Sequence, residues 1–226
     1  MRRARALAVV AVLAILAGCT SKPPVLSRVM GRIVYVNDLK TGERSESLGV
    51  FLVASDPDGM ENLGAFYVID DDAQLFWKVD HTAWTSQVAE SETWIGVSSL
   101  VMPKAAPFPA GSYRVVLEAV GGDTVEQTLT IPARPKTPAD AVYPSATVSD
   151  GAIQVKGSAA SYEVWVYGTD GSLAGVFPVD GKSPTLQVAT VKASSPALAG
   201  GFTFRVYTWD GQAGYGVLAG PWNSGG

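Results

Sequence analysis

After residue 20 the apolar and polar positions of this chain alternate in short bursts, and no stretch keeps a helical period over three turns. Val, Thr, Tyr and Trp gather in these bursts, with Gly, Pro and Asp between them, which is the pattern of many short strands. The alternation predicts strands near 31–36, 48–54, 64–70, 74–80, 93–100, 112–120 and 123–131. A second series is predicted near 145–149, 152–156, 161–167, 172–177, 185–191, 201–209 and 214–219. Between the two series, Ile131 to Pro144 holds four prolines and few apolar residues, a semi-rigid linker composition. The expected organisation is one all-β domain over 29–132, a linker over 133–144, a second all-β domain over 145–222 and a loose tail over 223–226.

Two segments of the first series give the fold a name. Phe51-Leu-Val-Ala-Ser-Asp-Pro-Asp-Gly59, followed by Ala65-Phe-Tyr-Val-Ile69, resembles the B strand, turn and C strand of bacterial immunoglobulin-like domains. Pro109-Ala-Gly-Ser-Tyr113, leading into Arg-Val-Val-Leu-Glu-Ala119, resembles their F strand, and the resemblance implies that Tyr113 is the corner tyrosine. In the second series, Ser161-Tyr-Glu-Val-Trp-Val-Tyr167 and Phe202-Thr-Phe-Arg-Val-Tyr-Thr-Trp-Asp-Gly211 resemble the C and F strands of fibronectin type III domains. The tryptophan usual on strand B is missing there. The resemblances imply two tandem immunoglobulin-like β-sandwich domains.

The N-terminus is of a different kind. Arg2, Arg3 and Arg5 precede an apolar run from Ala6 to Ala17, the charged and apolar regions of a secretory signal. The run is shorter than the roughly 20 apolar residues of a membrane-spanning helix. It ends in Leu16-Ala17-Gly18-Cys19, which resembles the lipobox of bacterial lipoproteins. That resemblance implies cleavage after residue 18, diacylglycerol on the Cys19 thiol and acylation (palmitate or a similar chain) of its amine. Residues 19–28 would then be a lipidated tether. Each buried CH₂ of such chains contributes about 0.8 kcal/mol to anchorage. Thr20, where an Asp often signals retention in the inner membrane, points to the outer membrane of the cell envelope.

Composition narrows the function. The leader carries three of the 17 basic residues and none of the 21 acidic ones, so its removal takes the formal charge from −4 to −7. That balance excludes the basic footprint of a nucleic-acid binder. Cys19 is the only cysteine and His81 the only histidine. No nucleophile elbow, zinc-protease motif, phosphate-cradling loop or dinucleotide fingerprint occurs, so the expectation is a non-enzyme without cofactors.

Two constellations remain. Asp56 and Asp58 in one turn, and Asp70 to Asp72 in another, are oxygen donors of the type calcium takes. The strand between them spans roughly 23 Å at about 3.3 Å per residue, which keeps the turns apart. Asp and Gly are also what tight turns need for themselves, so no metal is expected and Asp56 and Asp58 are weak candidates. The second constellation is aromatic. In 161–167 and 202–209, Tyr162, Val164, Val166, Phe202, Phe204 and Val206 share the core face that the resemblance implies. Period-two alternation then turns Trp165, Tyr167, Arg205, Tyr207 and Trp209 outward as one patch, with Glu163 and Arg205 as a charge pair. Three readings are open: a binding patch for another protein or a glycan, a face packed against the first domain or the linker, or a half-buried stripe of side chains that favour strands anyway. The expected function is a lipid-anchored binding, adhesion or protein-interaction module, with a carbohydrate-binding module or an accessory subunit of an envelope complex as alternatives.

Overall fold

In the computed structural model, residues 22–225 are described. The expected leader and the Cys19 lipid site lie outside them. The protein is all-β. Fifteen strands are seen: β1 (Val25–Asp38), β2 (Arg44–Ser55), β3 (Leu63–Asp70), β4 (Leu75–Asp80), β5 (Thr85–Ala89), β6 (Glu92–Val101), β7 (Gly111–Ala119) and β8 (Thr124–Ile131), then β9 (Ser145–Ser149), β10 (Ala152–Lys156), β11 (Ser161–Tyr167), β12 (Leu173–Asp180), β13 (Thr185–Gln187), β14 (Thr203–Asp210) and β15 (Tyr215–Asn223). A short helix, α1 (Val188–Ser194), follows β13. No helix among the described residues is long and apolar enough to cross a membrane.

The chain forms two compact units, and they do not coincide with the expected domains 29–132 and 145–222. Of the described residues, the first holds 22–29, Phe51–Gly96 and Tyr113–Leu129; the second holds Met30–Val50, Val97–Ser112 and 130–225. The physical reason is a pairing no local pattern reveals. β1 runs parallel to β15, with Val34 opposite Gly216 and Asp38 opposite Gly220, which ties residues 30–38 to the end of the chain. The proline-rich segment 133–144 is also no free linker. Arg134 forms an ion pair with Glu46 at 3.0 Å. Tyr35 Oη donates to the Lys136 carbonyl at 2.6 Å, and Arg44 donates to the Ala139 carbonyl at 2.9 Å.

In the first unit, β4-β3-β7-β8 form one sheet, and parts of β1, β2 and β6 pair in order with β5. Alternation along β3 and β7 buries Phe66, Val68, Tyr113, Val115 and Leu117 completely. Trp84 stacks on Phe66 at 5.9 Å, and Trp77 lies beside Tyr113. β5 carried no sequence signal because its Thr-Ser-Gln-Val-Ala run is polar and almost wholly exposed. It survives as an edge strand, paired to β6 from Thr85–Gly96 to Ala89–Glu92.

In the second unit the strand order is β12-β11-β14-β15-β1-β2-β6, with a separate sheet β13-β10-β9. Ile153 and Val155 of β10 pack with Val164, Val166, Phe204 and Val206 in one buried cluster. The core face is therefore the one alternation assigned. The strand expected over 185–191 stops at Gln187 and gives way to α1. Its partner β10 begins only at Ala152, where the Asp150-Gly151 turn reverses the chain with both φ angles positive. A longer β13 would run past its partner, so the backbone closes on itself as a helix that buries Val191.

Candidate functional site

The side of β11 and β14 away from the core carries the aromatic constellation. The strands pair antiparallel, with Trp165 opposite Arg205 and Glu163 opposite Tyr207. Trp165 and Tyr207 stack at 5.2 Å and 26°. Such a pair contributes about 0.5–1.5 kcal/mol beyond its buried area. The Tyr207 ring lies over Gly216 of β15: a Cβ built there would come within 2.5 Å of the ring. The missing side chain lets the phenol lie flat, and Tyr207 is only 7% exposed although it points outward. Burial raises the Tyr207 pKa against the opposing pull of Arg32.

The expected Glu163–Arg205 charge pair is not formed. Glu163 accepts a hydrogen bond from Trp165 Nε1 at 2.8 Å. Arg205 instead donates to Asp38 at 2.7 Å. The register explains it, since Arg205 faces Trp165 rather than Glu163. On its other side a bulge opposite Arg205, at Gly220-Pro221, lets the arginine stem lie against Gly220. From there the guanidinium reaches across β15 to β1. Burial opposes the ionised Asp38, but Arg205 and the Thr41 and Lys40 backbone N–H groups hold its carboxyl below the usual range.

Each end of this face opens into a cleft. At one end Tyr167 and Arg205 line a depression of about 800 Å³ with Leu39, Lys40, Thr203 and Asn223. Burial pushes the Tyr167 phenol up against the pull of Arg205. At the other end Trp209, 41% exposed, walls a cleft of about 590 Å³ with Tyr143, Tyr162 and Tyr215. The Arg32 guanidinium sits over the Trp209 ring at 5.5 Å, within the reach of a cation–π contact.

Sequence reasoning placed the five patch residues and missed their neighbours. Arg32 and Asp38 come from β1, and Tyr143 from the segment read as a linker. Nothing in the local pattern marked Arg32 and Asp38, because parallel pairing of β1 with β15 brings them in from more than a hundred residues away. The weak calcium candidates are engaged in hydrogen bonds of the fold. Asp56 accepts the Asp58 N–H at 2.8 Å and the Asn62 amide at 3.1 Å, and Asp58 accepts the Lys22 N–H at 3.0 Å. No group of three or more metal-binding side chains exists among the described residues. His81 stands edge-on to Trp84.

No protein-family model and no curated protein matches the chain. Among solved structures, the 47-kilodalton lipoprotein Tp47 of Treponema pallidum overlaps 89% of this chain and 51% of its own, at 15% identity and a TM-score of 0.40. Latent PorU from Porphyromonas gingivalis overlaps 89% of this chain and 20% of its own, at 11% identity and a TM-score of 0.33. A 1.5-MDa bacterial ice-binding adhesin overlaps 91% and 65%, at 12% identity and a TM-score of 0.25. The chain thus spans about half the length of the first and a fifth of the second. Overlaps this loose carry no topology, ligand or activity across, and the chain stands on its own sheets as an all-β protein.

Proposed function

We propose that this protein is a non-enzymatic binding module of the bacterial cell envelope, held by lipid on Cys19, and that its partner is another protein. The observation that carries the reading is the stacked Trp165–Tyr207 pair on an outward sheet face, flanked by Trp209 and by the anchored Arg205. Aromatics and arginine dominate interface hot spots, and here they are held in fixed positions before any partner arrives. Pre-ordered side chains lose little freedom on binding. The Leu16-Ala17-Gly18-Cys19 pattern supports the anchor, and Thr20 supports the outer membrane. A single histidine edge-on to a tryptophan in a turn supports a role without catalysis.

The test is photo-crosslinking in living cells. Val176 lies opposite Trp165 and is 45% exposed, so it accepts a photoreactive side chain with little disturbance. The reading expects a discrete adduct from position 176 that disappears when Trp165→Ala and Trp209→Ala are combined. The same probe at Phe76, 60% exposed in the first unit, should not give it. No adduct at 176, or one indifferent to the two tryptophans, refutes the reading. Protease shaving of intact cells then separates a surface adhesin, which is degraded, from a periplasmic accessory subunit, which is protected.

A further inference from the structure

The cleft walled by Trp209 has the size of a small-molecule site, and it differs in chemistry from the flat face beside it. Its volume of about 590 Å³ falls within the roughly 300–1,000 Å³ of ligand sites. All four of its rings are held by contacts of their own. Tyr143 Oη donates to the Pro138 carbonyl at 2.8 Å. Tyr162 Oη accepts the Ala159 N–H at 2.9 Å. Tyr215 is backed by Tyr35, stacked at 4.2 Å, and Trp209 is covered on one side by Arg32.

The polar groups stand at the rim. Lys136, Asp210 and Gln212 line the cleft. Asp210 Oδ1 accepts the Gln212 and Ala213 N–H groups at 3.0 Å each, and its backbone carbonyl accepts the Gly214 N–H at 2.9 Å to close the turn. That turn holds Gln212 at the mouth by its backbone, and among the described residues no hydrogen bond uses its side-chain amide. One lysine and one aspartate are the charged residues that line the cleft, and the guanidiniums of Arg32 and Arg44 lie on its Trp209 and Tyr143 rings. A site with two accessible aromatic rings, Trp209 and Tyr143, and with an amide, a carboxylate and an ammonium at its edge matches one ligand class well. A sugar ring presents an apolar C–H face to an aromatic ring and hydroxyls to such a rim.

We infer that this cleft binds a neutral pyranose unit of a glycan, stacked on Trp209 and hydrogen-bonded by Gln212 and Asp210. The site overlaps the face of the protein partner proposed above at Trp209, and Gln212, which that face does not use, tells the two apart.

The test is a titration of the ¹⁵N-labelled protein with neutral trisaccharides: chitotriose, cellotriose, maltotriose and mannotriose. The indole N–H signal of Trp209, assigned by its loss in Trp209→Ala, should move saturably with at least one sugar, at about millimolar affinity or tighter. The Trp165 indole should not move. Gln212→Ala, a change in an exposed turn, should weaken binding about fivefold through one lost hydrogen bond. It should leave the crosslink from position 176 intact. The inference is overturned if no indole signal moves with any of the four sugars, if Trp165 moves in place of Trp209, or if Gln212→Ala leaves the midpoint unchanged.

Discussion

Arg134→Met should be among the most damaging single changes in this protein, because it strips a buried carboxylate of its counter-charge. Arg134 and Glu46 are 7% and 3% exposed in their side chains and 3.0 Å apart. Both also serve the backbone at Phe108. Glu46 accepts its N–H at 2.8 Å, and Arg134 donates to its carbonyl at 2.6 Å. Arg134 further donates to the Pro132 carbonyl at 3.0 Å. Methionine fills much of the same space, so little cavity is created and the charge effect dominates. Removing one partner of a buried ion pair costs about 3–5 kcal/mol. At a urea dependence of about 2 kcal/mol per molar, the midpoint should fall by about 1.5–2.5 M. Adding Glu46→Gln removes the stranded charge, while the amide oxygen still accepts the Phe108 N–H. The double variant should therefore recover at least half of the loss. Urea unfolding followed by circular dichroism measures both. An Arg134→Met midpoint within about 0.5 M of the parent would mean that the pair is worth no more than a surface ion pair, and the reasoning would fail.

Other perturbations read out the site. Gly216→Ala places a methyl carbon within 2.5 Å of the Tyr207 ring; overpacking of this kind costs about 1–3 kcal/mol, visible as a lower melting temperature and a changed near-ultraviolet spectrum. Asp38 has a depressed carboxyl pKa, so its stabilisation is present above the unfolded value of about 3.9 and is lost as the pH falls through the folded one. Arg205→Met should therefore cost stability at neutral pH, with a penalty that shrinks below about pH 4, and a penalty constant from pH 7 to pH 2 would refute the linkage. Burial pushes the Tyr143 phenol up to about 12, so Tyr143→Phe should remove one tyrosine's share from the late part of the high-pH absorbance titration. A fragment of residues 145–226 lacks β1, one of the two partners of β15, and the Asp38 carboxylate, and it should lack the sharp, dispersed NMR spectrum of the full chain.

Strand positions were legible in the sequence wherever a strand had one wet and one dry face. β3, β7, β11 and β14 were found because burial alternates along them. β5 was invisible because an exposed polar edge strand has no hydrophobic period to read. α1 was misread because its Val and Thr residues favour strands locally, and only the short reach of β10 turns them into a helix. The division of the chain was illegible for a stronger reason. A proline-rich composition reads as a linker, yet here Arg134, Lys136 and Ala139 are clamped by side chains of β1 and β2. Such long-range partners leave no trace in a local window. The same holds for Arg205, whose partner lies 167 residues away.

Outward orientation and exposure are separate properties on this face, and the difference sets how much of it a partner can meet. Alternation turned five residues outward, but they shield one another. Tyr207 is nearly covered, by Trp165 stacked beside it and by its fit over Gly216. The Trp165 N–H is engaged by Glu163, and the guanidinium of Arg205 by Asp38. Trp209 alone among the five is more than two-fifths exposed, and it stands where the flat face meets the aromatic cleft. The energetic weight of binding should therefore be concentrated at Trp209, with Trp165 as a flat neighbour. Tyr207 would act by keeping Trp165 in place rather than by touching the partner. A surface made this way resists collapse without a covering layer, because its stacked rings and paired charges satisfy each other before anything binds.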